Sequence, residues 1–255
     1  MKPALLLAAL SLAPAPARAA ACWFDHGVVV VPAEVAGVAG DYILDTGAPA
    51  TLLHETRAQM EGQAGTALRG EVRVAGLRLA DQPVAVADLD ARTYAFPTPI
   101  AGVIGADVLA GQVVDLDFAP CRVEIRAPRR APRFRPEKIL AMRLKGGLPT
   151  VAGAVADGPR TVVGGFVVAT GLDAPVRLDG ALAGVPGASA EDVAPYGPRR
   201  ARLRALPLAG ELFENLPAGL TPPVEGAVGA VGAPVLARWR LRFDFPRGRL
   251  LLRRP

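Results

Sequence analysis

One carboxylate of this sequence has a setting that suits acid–base chemistry. Asp45 follows the apolar run Tyr42–Leu44 and is followed by Thr46-Gly47. A short apolar run of this kind is typical of a buried β-strand, and glycine allows a tight turn because it has no Cβ. The pattern therefore predicts an aspartate presented at the end of a strand, where it could act as a general acid or base.

The same pattern occurs a second time without the carboxylate. Residues 42–49 (YILDTGAP) align without a gap with residues 166–173 (FVVATGLD), at an offset of 124 residues. Ala169 stands in the place of Asp45, and the Thr-Gly pair is repeated as Thr170-Gly171. We expect the second turn to keep the shape of the first, because the residues that shape it are retained.

Two further blocks repeat in the same order. Residues 103–110 (VIGADVLA) match residues 230–237 (AVGAPVLA) at an offset of 127 residues. Between the larger blocks, an Ala-Gly pair with a proline downstream occurs at 75–76 and again at 209–210. Three matches in one order indicate an internal duplication, with offsets that differ as loop lengths do.

Together these motifs resemble the aspartic peptidases of the retropepsin and pepsin type. The resemblance rests on an apolar strand that ends in Asp-Thr-Gly-Ala, on the apolar-apolar-Gly step at 103–105, and on the repetition of both. The duplicated arrangement covers nearly all of the mature chain, and it resembles that of the single-chain, two-lobed bacterial members of this family. The resemblance implies an all-β fold of two pseudo-symmetric lobes, with a cleft between them and few short helices.

The resemblance also implies roles for individual residues. In such peptidases each lobe brings one aspartate to the cleft, and the two share a proton because both cannot ionise side by side. Asp45 is the catalytic residue by this resemblance, and no cofactor is implied. The site-supporting residues are Thr46, Gly47, Thr170 and Gly171. Each threonine is expected to bond to the backbone of the opposite lobe.

Ala169 is the departure from this pattern, because its methyl group cannot hold or share a proton. Two functions remain open. One is an exported protein that binds an extended peptide or protein ligand in the inter-lobe cleft, with impaired catalysis. The other is an active aspartic endopeptidase that uses Asp45 and an unidentified partner carboxylate. Asp173 is the nearest candidate, but it aligns with Pro49 beyond the turn, so we expect it in solvent outside the cleft.

Other polar residues give weaker indications. The two histidines, His26 and His54, have no cysteine or aspartate at ligand spacing, so no metal site is predicted. Tyr196 lies where this family has a flap hairpin in one lobe, and the stretch 62–74 lies there in the other. Glycines at 62, 65 and 70 suit a mobile flap, and an ordinary surface hairpin is the equal alternative.

The first residues have the pattern of a signal peptide. Lys2 precedes the apolar run Ala4–Ala13, and Ala17-Arg18-Ala19 is a small-x-small cleavage site. The sequence therefore predicts removal of residues 1–19 and export to the periplasm or the medium of a bacterium. No later run is long and apolar enough for a transmembrane segment. Lipid attachment at Cys22 is the weaker alternative.

Export bears on the two cysteines of the chain, Cys22 and Cys121. In an oxidising compartment an even pair of cysteines favours a disulfide. The alternative is two unrelated thiols. We predict the bridge between Cys22 and Cys121.

Composition agrees with an all-β chain. The 255 residues are 51% hydrophobic, with 28 glycines and 25 prolines, which is typical of many short elements joined by turns. The clearest predicted strands are 27–31, 113–118, 122–125, 239–245 and 249–252. The predicted helices are 51–60 and a short one after Leu236.

Charge and proline content indicate the domain organisation. Lobes are predicted at 20–126 and 147–255, joined by a basic, Pro-rich linker at 127–146. Because Lys2 and Arg18 leave with the signal peptide, the net charge of +5 falls to +3. The arginines cluster at 126–135 and 238–242 without aromatic platforms or a known motif beside them, so nucleic-acid binding is not predicted. The sequence does not indicate an oligomeric state.

Overall fold

The computed structural model describes residues 19–157, 160–180, 201–222 and 224–255. The predicted signal peptide therefore lies outside the described residues except for Ala19, and Tyr196 lies outside them as well. Strands make up most of the described chain, and the α-helices within it are short. The all-β prediction is confirmed.

The elements have the following bounds. The strands of the first half are β1 (Ala20–Ala21), β2 (Trp23–Asp25), β3 (Val28–Val35), β4 (Val38–Leu44), β5 (Leu52–His54), β6 (Ala67–Val74), β7 (Leu77–Ala87), β8 (Ile100–Ile104), β9 (Val113–Phe118) and β10 (Cys121–Arg126). Those of the second half are β11 (Lys138–Lys145), β12 (Leu148–Asp157), β13 (Arg160–Ala169), β14 (Val176–Asp179), β15 (Ala201–Leu208), β16 (Glu211–Thr221), β17 (Gly229–Gly232), β18 (Arg240–Asp244) and β19 (Arg249–Arg253). The helices are α1 (Glu55–Met60), α2 (Asp90–Thr93), α3 (Ala106–Leu109) and α4 (Ala233–Leu236).

Two barrel-like lobes follow the duplication. The first lobe runs in the order β3-β4-β8-β5-β7-β6, and pairing of β6 with β3 closes it. The second lobe runs β12-β13-β17-β14-β16-β15, and pairing of β15 with β12 closes it in the same way. Closure of a sheet removes its exposed edges, and the apolar side chains inside form the core.

Backbone details repeat between the lobes as well. The parallel pair β4–β8 aligns Leu44 with Ile104, and β13–β17 aligns Val168 with Val231, which are equivalent positions. The turns after β6 and β15 also match, with φ values of 46° and 86° at residues 75 and 76 and of 53° and 86° at 209 and 210. The predicted duplication therefore extends to the conformation of individual turns.

A six-stranded antiparallel sheet, β1-β10-β9-β18-β19-β11, joins the lobes. At its centre Asp115 on β9 lies opposite Arg242 on β18. Arg242 donates from Nε and Nη2 to the two carboxylate oxygens of Asp115, each at 2.6 Å. Its Nη1 also donates to the carbonyl oxygen of Pro132, at 2.7 Å, which fastens the connection between the lobes onto this sheet.

Part of the predicted linker is a strand. Residues 138–145 form β11, which pairs with β19 in the joining sheet and with β12 in the second lobe. The stretch was predicted as a linker because lysines and arginines dominate it, but Met142 points into the core and is buried. Two helix boundaries also differ: β5 occupies 52–54 so that α1 begins at Glu55, and α4 ends at Leu236 rather than following it.

The predicted disulfide is present. Cys22 and Cys121 are bonded, with their Cα atoms 5.1 Å apart. The bridge lies where β1 pairs with β10, so it fastens the start of the described chain to the last strand of the first half.

Candidate active site and cleft

Asp45 lies directly after β4, in the loop where the sequence places it. Its backbone N–H donates to the carbonyl oxygen of Ile104 at 2.9 Å, which holds the loop against the end of β8. Asp45 is only 6% exposed, so its carboxylate needs partners inside the protein. Ala169, the last residue of β13, occupies the equivalent place in the second lobe.

Two backbone N–H groups hold one oxygen of this carboxylate. Oδ1 of Asp45 accepts from the N–H of Gly47 at 2.7 Å and from the N–H of Gly171 at 3.1 Å. The first donor belongs to the same loop and the second to the opposite lobe. A Cβ at position 171 would lie 2.5 Å from Cβ of Asp45, so only glycine can approach the aspartate this closely.

The two threonines bond crosswise between the lobes. Thr46 Oγ1 donates to the carbonyl oxygen of Val168 at 2.5 Å, and Thr170 Oγ1 donates to that of Leu44 at 2.6 Å. Each hydroxyl oxygen also accepts from the backbone N–H of the other threonine, at 3.1 and 3.2 Å. Both threonines are fully buried, so this four-bond contact fixes the two loops relative to each other.

Ala169 faces Gly47 as Asp45 faces Gly171. A Cβ at position 47 would lie 2.4 Å from Cβ of Ala169, which nearly repeats the 2.5 Å found on the other side. The loop therefore places Cβ of residue 169 in a position equivalent to that of Cβ of Asp45. Its methyl group packs in an apolar cluster with Val167, Leu172 and other residues of the second lobe.

A residue that sequence reasoning missed occupies the free side of Asp45. Nη2 of Arg92 lies 2.5 Å from Oδ2 of Asp45 and 3.1 Å from the carbonyl oxygen of Gly171. The carboxylate thus has a guanidinium as its partner in the cleft. Arg92 cannot lose its proton in a protein, so it cannot replace the acid of a carboxylate pair.

Helix α2 carries Arg92, and a histidine holds this helix. Nε2 of His54 lies 3.1 Å from Oδ1 of Asp90, the first residue of α2. On its other side, Nδ1 of His54 accepts from the N–H of Thr56 at 3.3 Å and caps α1. His54 is buried, so it connects α1 to α2 and helps to position Arg92.

The segment that contains α2 has no equivalent of the same length in the second lobe. Twelve residues, 88–99, connect β7 to β8, whereas seven, 222–228, connect β16 to β17. A comparison of the two repeats at this point would have marked the first-lobe segment as an insertion. Its contact with Asp45 depends on tertiary structure and has no motif in the sequence.

Asp45, Arg92 and Ala169 lie in one large cleft between the lobes. The cavity has a volume of about 820 Å³, within the range of ligand-binding sites. Its first-lobe side includes Tyr94 and Phe96, next to Arg92 in sequence. Apolar residues of the second lobe complete it, among them Leu148, Val167, Leu172, Val224 and Ala230.

Asp173 differs from its expected position. It lines this cleft instead of lying outside it, and its Oδ1 accepts from Nη2 of Arg177 at 3.0 Å. The side chain is 43% exposed. The alignment with Pro49 did not reveal this, because Pro49 does not line the cavity, whereas Asp173 does.

The first-lobe hairpin does not lie over the cleft. Residues 62–74 form the turn and loop that follow α1 and then β6, and the β6–β7 turn is at Ala75-Gly76. Ala75 is buried, and its carbonyl oxygen accepts from the N–H of Ile125 on β10. The segment over Asp45 is therefore the one that carries α2.

The described residues contain no group of three or more histidine, cysteine or acidic side chains arranged to hold a metal ion. Among the described helices, none is long and apolar enough to cross a membrane.

The two lobes and the cleft between them define the pepsin-like aspartic proteinase fold. A solved structure with this fold is that of the aspartic proteinase from Irpex lacteus, which matches with a TM-score of 0.53 over 93% of this chain and 97% of that chain. The two sequences are 13% identical, so the likeness shows the fold alone. No protein-family model matches this chain, and no curated protein matches its sequence.

Proposed function

We propose that this protein binds an extended polypeptide in the inter-lobe cleft and does not cleave it. One observation carries the proposal: Oδ2 of Asp45 is bound by the guanidinium of Arg92, and the position that would supply a second carboxylate is Ala169. The fold is that of a proteinase, whereas the acid–base groups that proteolysis needs are incomplete.

The chemistry of peptide hydrolysis explains why the cleft would be inactive. One carboxylate must take a proton from the attacking water, and an acid must protonate the carbonyl oxygen or the leaving amine. The oxygens of Asp45 are occupied by two backbone N–H groups and Arg92, and Ala169 has no proton to give. Loss of one acid or base typically lowers the rate by about 10²- to 10⁴-fold.

The size and lining of the cleft support a polypeptide ligand. A cavity of about 820 Å³ with aromatic and aliphatic walls and a few polar groups is typical of a site that binds several side chains. The solved structure with this fold is that of a protein described as an aspartic proteinase. By this proposal the chain is a member of the single-chain, two-lobed, bacterial aspartic peptidase group that has lost one aspartate.

Export is part of the same proposal. The Cys22–Cys121 disulfide supports an oxidising compartment, and the sequence of residues 1–19 has the pattern of a signal peptide. A periplasmic or secreted protein with this cleft would meet unfolded polypeptides outside the cytoplasm.

The alternative function is proteolysis by Asp45 with another carboxylate. Asp173 favours it, because this residue lines the same cleft. Its bond to Arg177, however, gives it a partner other than Asp45. The two functions differ in one outcome, which is whether bound polypeptide stays intact.

The test uses fluorescein-labelled β-casein, an unfolded polypeptide. Anisotropy titration measures its binding, and mass spectrometry measures its integrity from pH 3 to pH 7. We expect saturable binding and an intact probe. Cleavage that is abolished by Asp45→Asn, but not by Asp81→Asn at an exposed ion pair outside the cleft, would establish the active enzyme instead. Absence of binding would reject the peptide-binding proposal.

A further inference from the structure

Arg92 has hydrogen-bond donors to spare. A guanidinium has five N–H donors, and Nη2 supplies the contacts to Asp45 and to the carbonyl oxygen of Gly171. Within the described residues, the structure records no acceptor for Nε or Nη1. The side chain is 32% exposed and lines the cleft, so these donors are accessible to a ligand.

The position of the guanidinium is fixed before any ligand binds. Oδ1 of Asp45 is held by Gly47 and Gly171, which leaves Oδ2 for Arg92. Helix α2 is held by the contact between Asp90 and His54. A donor whose orientation is set in advance loses less conformational entropy on binding, and affinity rises accordingly.

The charges that line the cavity determine which kind of ligand group can accept hydrogen bonds from Arg92. The charged residues that line the cavity are Asp45, Asp173 and Asp179 on the acidic side and Arg92 and Arg177 on the basic side, with His26 near its edge. With His26 neutral, the cavity carries one net negative charge. An anionic ligand group beside Arg92 would be repelled by these carboxylates, whereas a neutral carbonyl oxygen would not.

We propose that Arg92 binds a main-chain carbonyl oxygen of the polypeptide that occupies the cleft. This inference rests on the proposed function and specifies how that site holds its ligand. The guanidinium donates hydrogen bonds to the carbonyl group that an active peptidase would protonate, and no proton is transferred. Asp45 acts as a positioning residue for Arg92, and the ligand stays intact because its carbonyl group gains donors but no nucleophile.

The first experiment compares the affinity for labelled β-casein among variants. A hydrogen bond from a charged donor corresponds to about 10- to 100-fold in affinity. We therefore expect Arg92→Ala to raise Kd by about 10- to 100-fold, and Arg92→Lys, which keeps the charge but loses the planar donors, to fall between it and the wild type. Arg69→Ala is the matched control, because Arg69 also binds an aspartate, Asp81, but on the exposed β6–β7 hairpin.

The second experiment identifies the acceptor. The shortest β-casein fragment that retains binding is synthesised with single amide-to-ester replacements, each of which weakens one carbonyl acceptor and removes one N–H donor. Because a guanidinium only donates, an effect that depends on Arg92 reports on the carbonyl acceptor. One replacement should weaken binding to the wild-type protein and have no effect on binding to Arg92→Ala, because that variant has no donor at this position. A fragment with a free C-terminal carboxylate that binds more tightly than its amide, only when Arg92 is present, would instead assign Arg92 to chain ends and overturn the proposal.

The outcomes separate the two proposals. If the wild-type protein does not bind β-casein, the peptide-binding function fails and this inference fails with it. If the wild type binds β-casein and both Arg92 variants bind it with the same Kd as the wild type, the peptide-binding function stands and the proposed role of Arg92 is wrong. Thermal unfolding of each variant shows whether a loss of affinity reflects the site or loss of the fold.

Discussion

The Asp45 loop and the Ala169 loop have the same backbone and different chemistry. Each closes with an N–H to carbonyl bond across three residues, from Ala48 to Asp45 and from Leu172 to Ala169. Each exchanges threonine bonds with the other. Yet one presents a carboxylate bound by Arg92, and the other presents a methyl group in an apolar cluster. The comparison shows that the shape of this turn is specified by Thr-Gly and by the opposite lobe, independently of the residue that would do the chemistry.

A second difference lies behind the loops. In the first lobe Asp107 accepts from the backbone N–H and the hydroxyl of Thr51, at 3.0 and 2.8 Å. The equivalent residues of the second lobe are Pro234 and Pro175. A polar contact supports the loop with the aspartate, whereas rigid prolines occupy the same places behind the loop without it.

The largest effect should come from making the loops chemically alike. Ala169→Asp alone would place a new carboxylate close to Arg92. Because the guanidinium would pair with the two carboxylates and keep them from sharing a proton, we expect little activity from this variant. Ala169→Asp combined with Arg92→Ala leaves two adjacent carboxylates that can share a proton. We expect the double variant to cleave β-casein at acidic pH about 10²- to 10⁴-fold faster than Ala169→Asp, measured by release of fluorescent fragments.

Two results would change this interpretation. Asp45→Asn in the double variant should abolish the new activity, since both carboxylates are required. If Ala169→Asp alone is as active as the double variant, Arg92 does not block the site.

The next largest effect should be the loss of stability on removing the disulfide in the first half of the chain. Cys22 and Cys121 close a loop with a sequence separation of 99 residues. By chain entropy, Cys22→Ala with Cys121→Ala should lower the free energy of unfolding by about 4–5 kcal/mol. Denaturant titration measures the total, and hydrogen exchange should show the loss of protection mainly in β2 to β10. Equal loss in both lobes would mean that they unfold as one unit.

A smaller effect should distinguish the supports behind the loops. Asp107→Ala leaves the N–H and hydroxyl of buried Thr51 without their acceptor, which should cost about 1–3 kcal/mol. Pro234→Ala removes only a restriction on the unfolded chain and should cost about 0.4–1 kcal/mol. Shifts in the denaturant midpoint check both values. Similar costs for the two variants would show that the polar contact is replaceable.

The smallest effect is the difference between the stability costs of two equivalent threonine substitutions, which we expect to be close to zero. Thr46→Val and Thr170→Val each remove one donor and leave one N–H of the other loop unsatisfied, so each should cost about 1–3 kcal/mol. Because the bonds are nearly identical in length, the two costs should agree within about 0.5 kcal/mol. Thr46→Ser and Thr170→Ser, which keep the hydroxyl, are the controls. A clear inequality would show that the loops are not equivalent in stability.

Sequence reasoning reached the features that local patterns encode. The aligned blocks predicted the duplicated lobes, and the strands predicted at 113–118 and 239–245 match β9 and β18 to within a residue at each end. Threonine and glycine at 46–47 and 170–171 also pointed to the loop pair. These features repeat within the chain, so each copy supports the other.

Arg92 could not be predicted in the same way. It lies on a four-residue helix in a segment whose second-lobe counterpart is shorter, and its approach to Asp45 depends on how 88–99 folds back over the cleft. Asp173 was placed outside the cleft from its alignment with Pro49, and the stretch of β11 was taken as a linker from its charge. Tertiary packing instead brings Asp173 to the cavity and buries Met142. Contacts between segments that are distant in the chain and do not repeat produce no periodic pattern in the sequence.

The crosswise bonding of the loops has a consequence for how such a chain can change over generations. Thr170 and Gly171 bond to Leu44 and Asp45 of the other lobe, so selection on the first loop acts on residues of the second. Residue 169 is different, because Asp45 receives no bond from its side chain. A gene with this fold can therefore change the residue at position 169 while its immediate neighbours remain under constraint, so one substitution there can alter the chemistry of the cleft and leave its architecture intact.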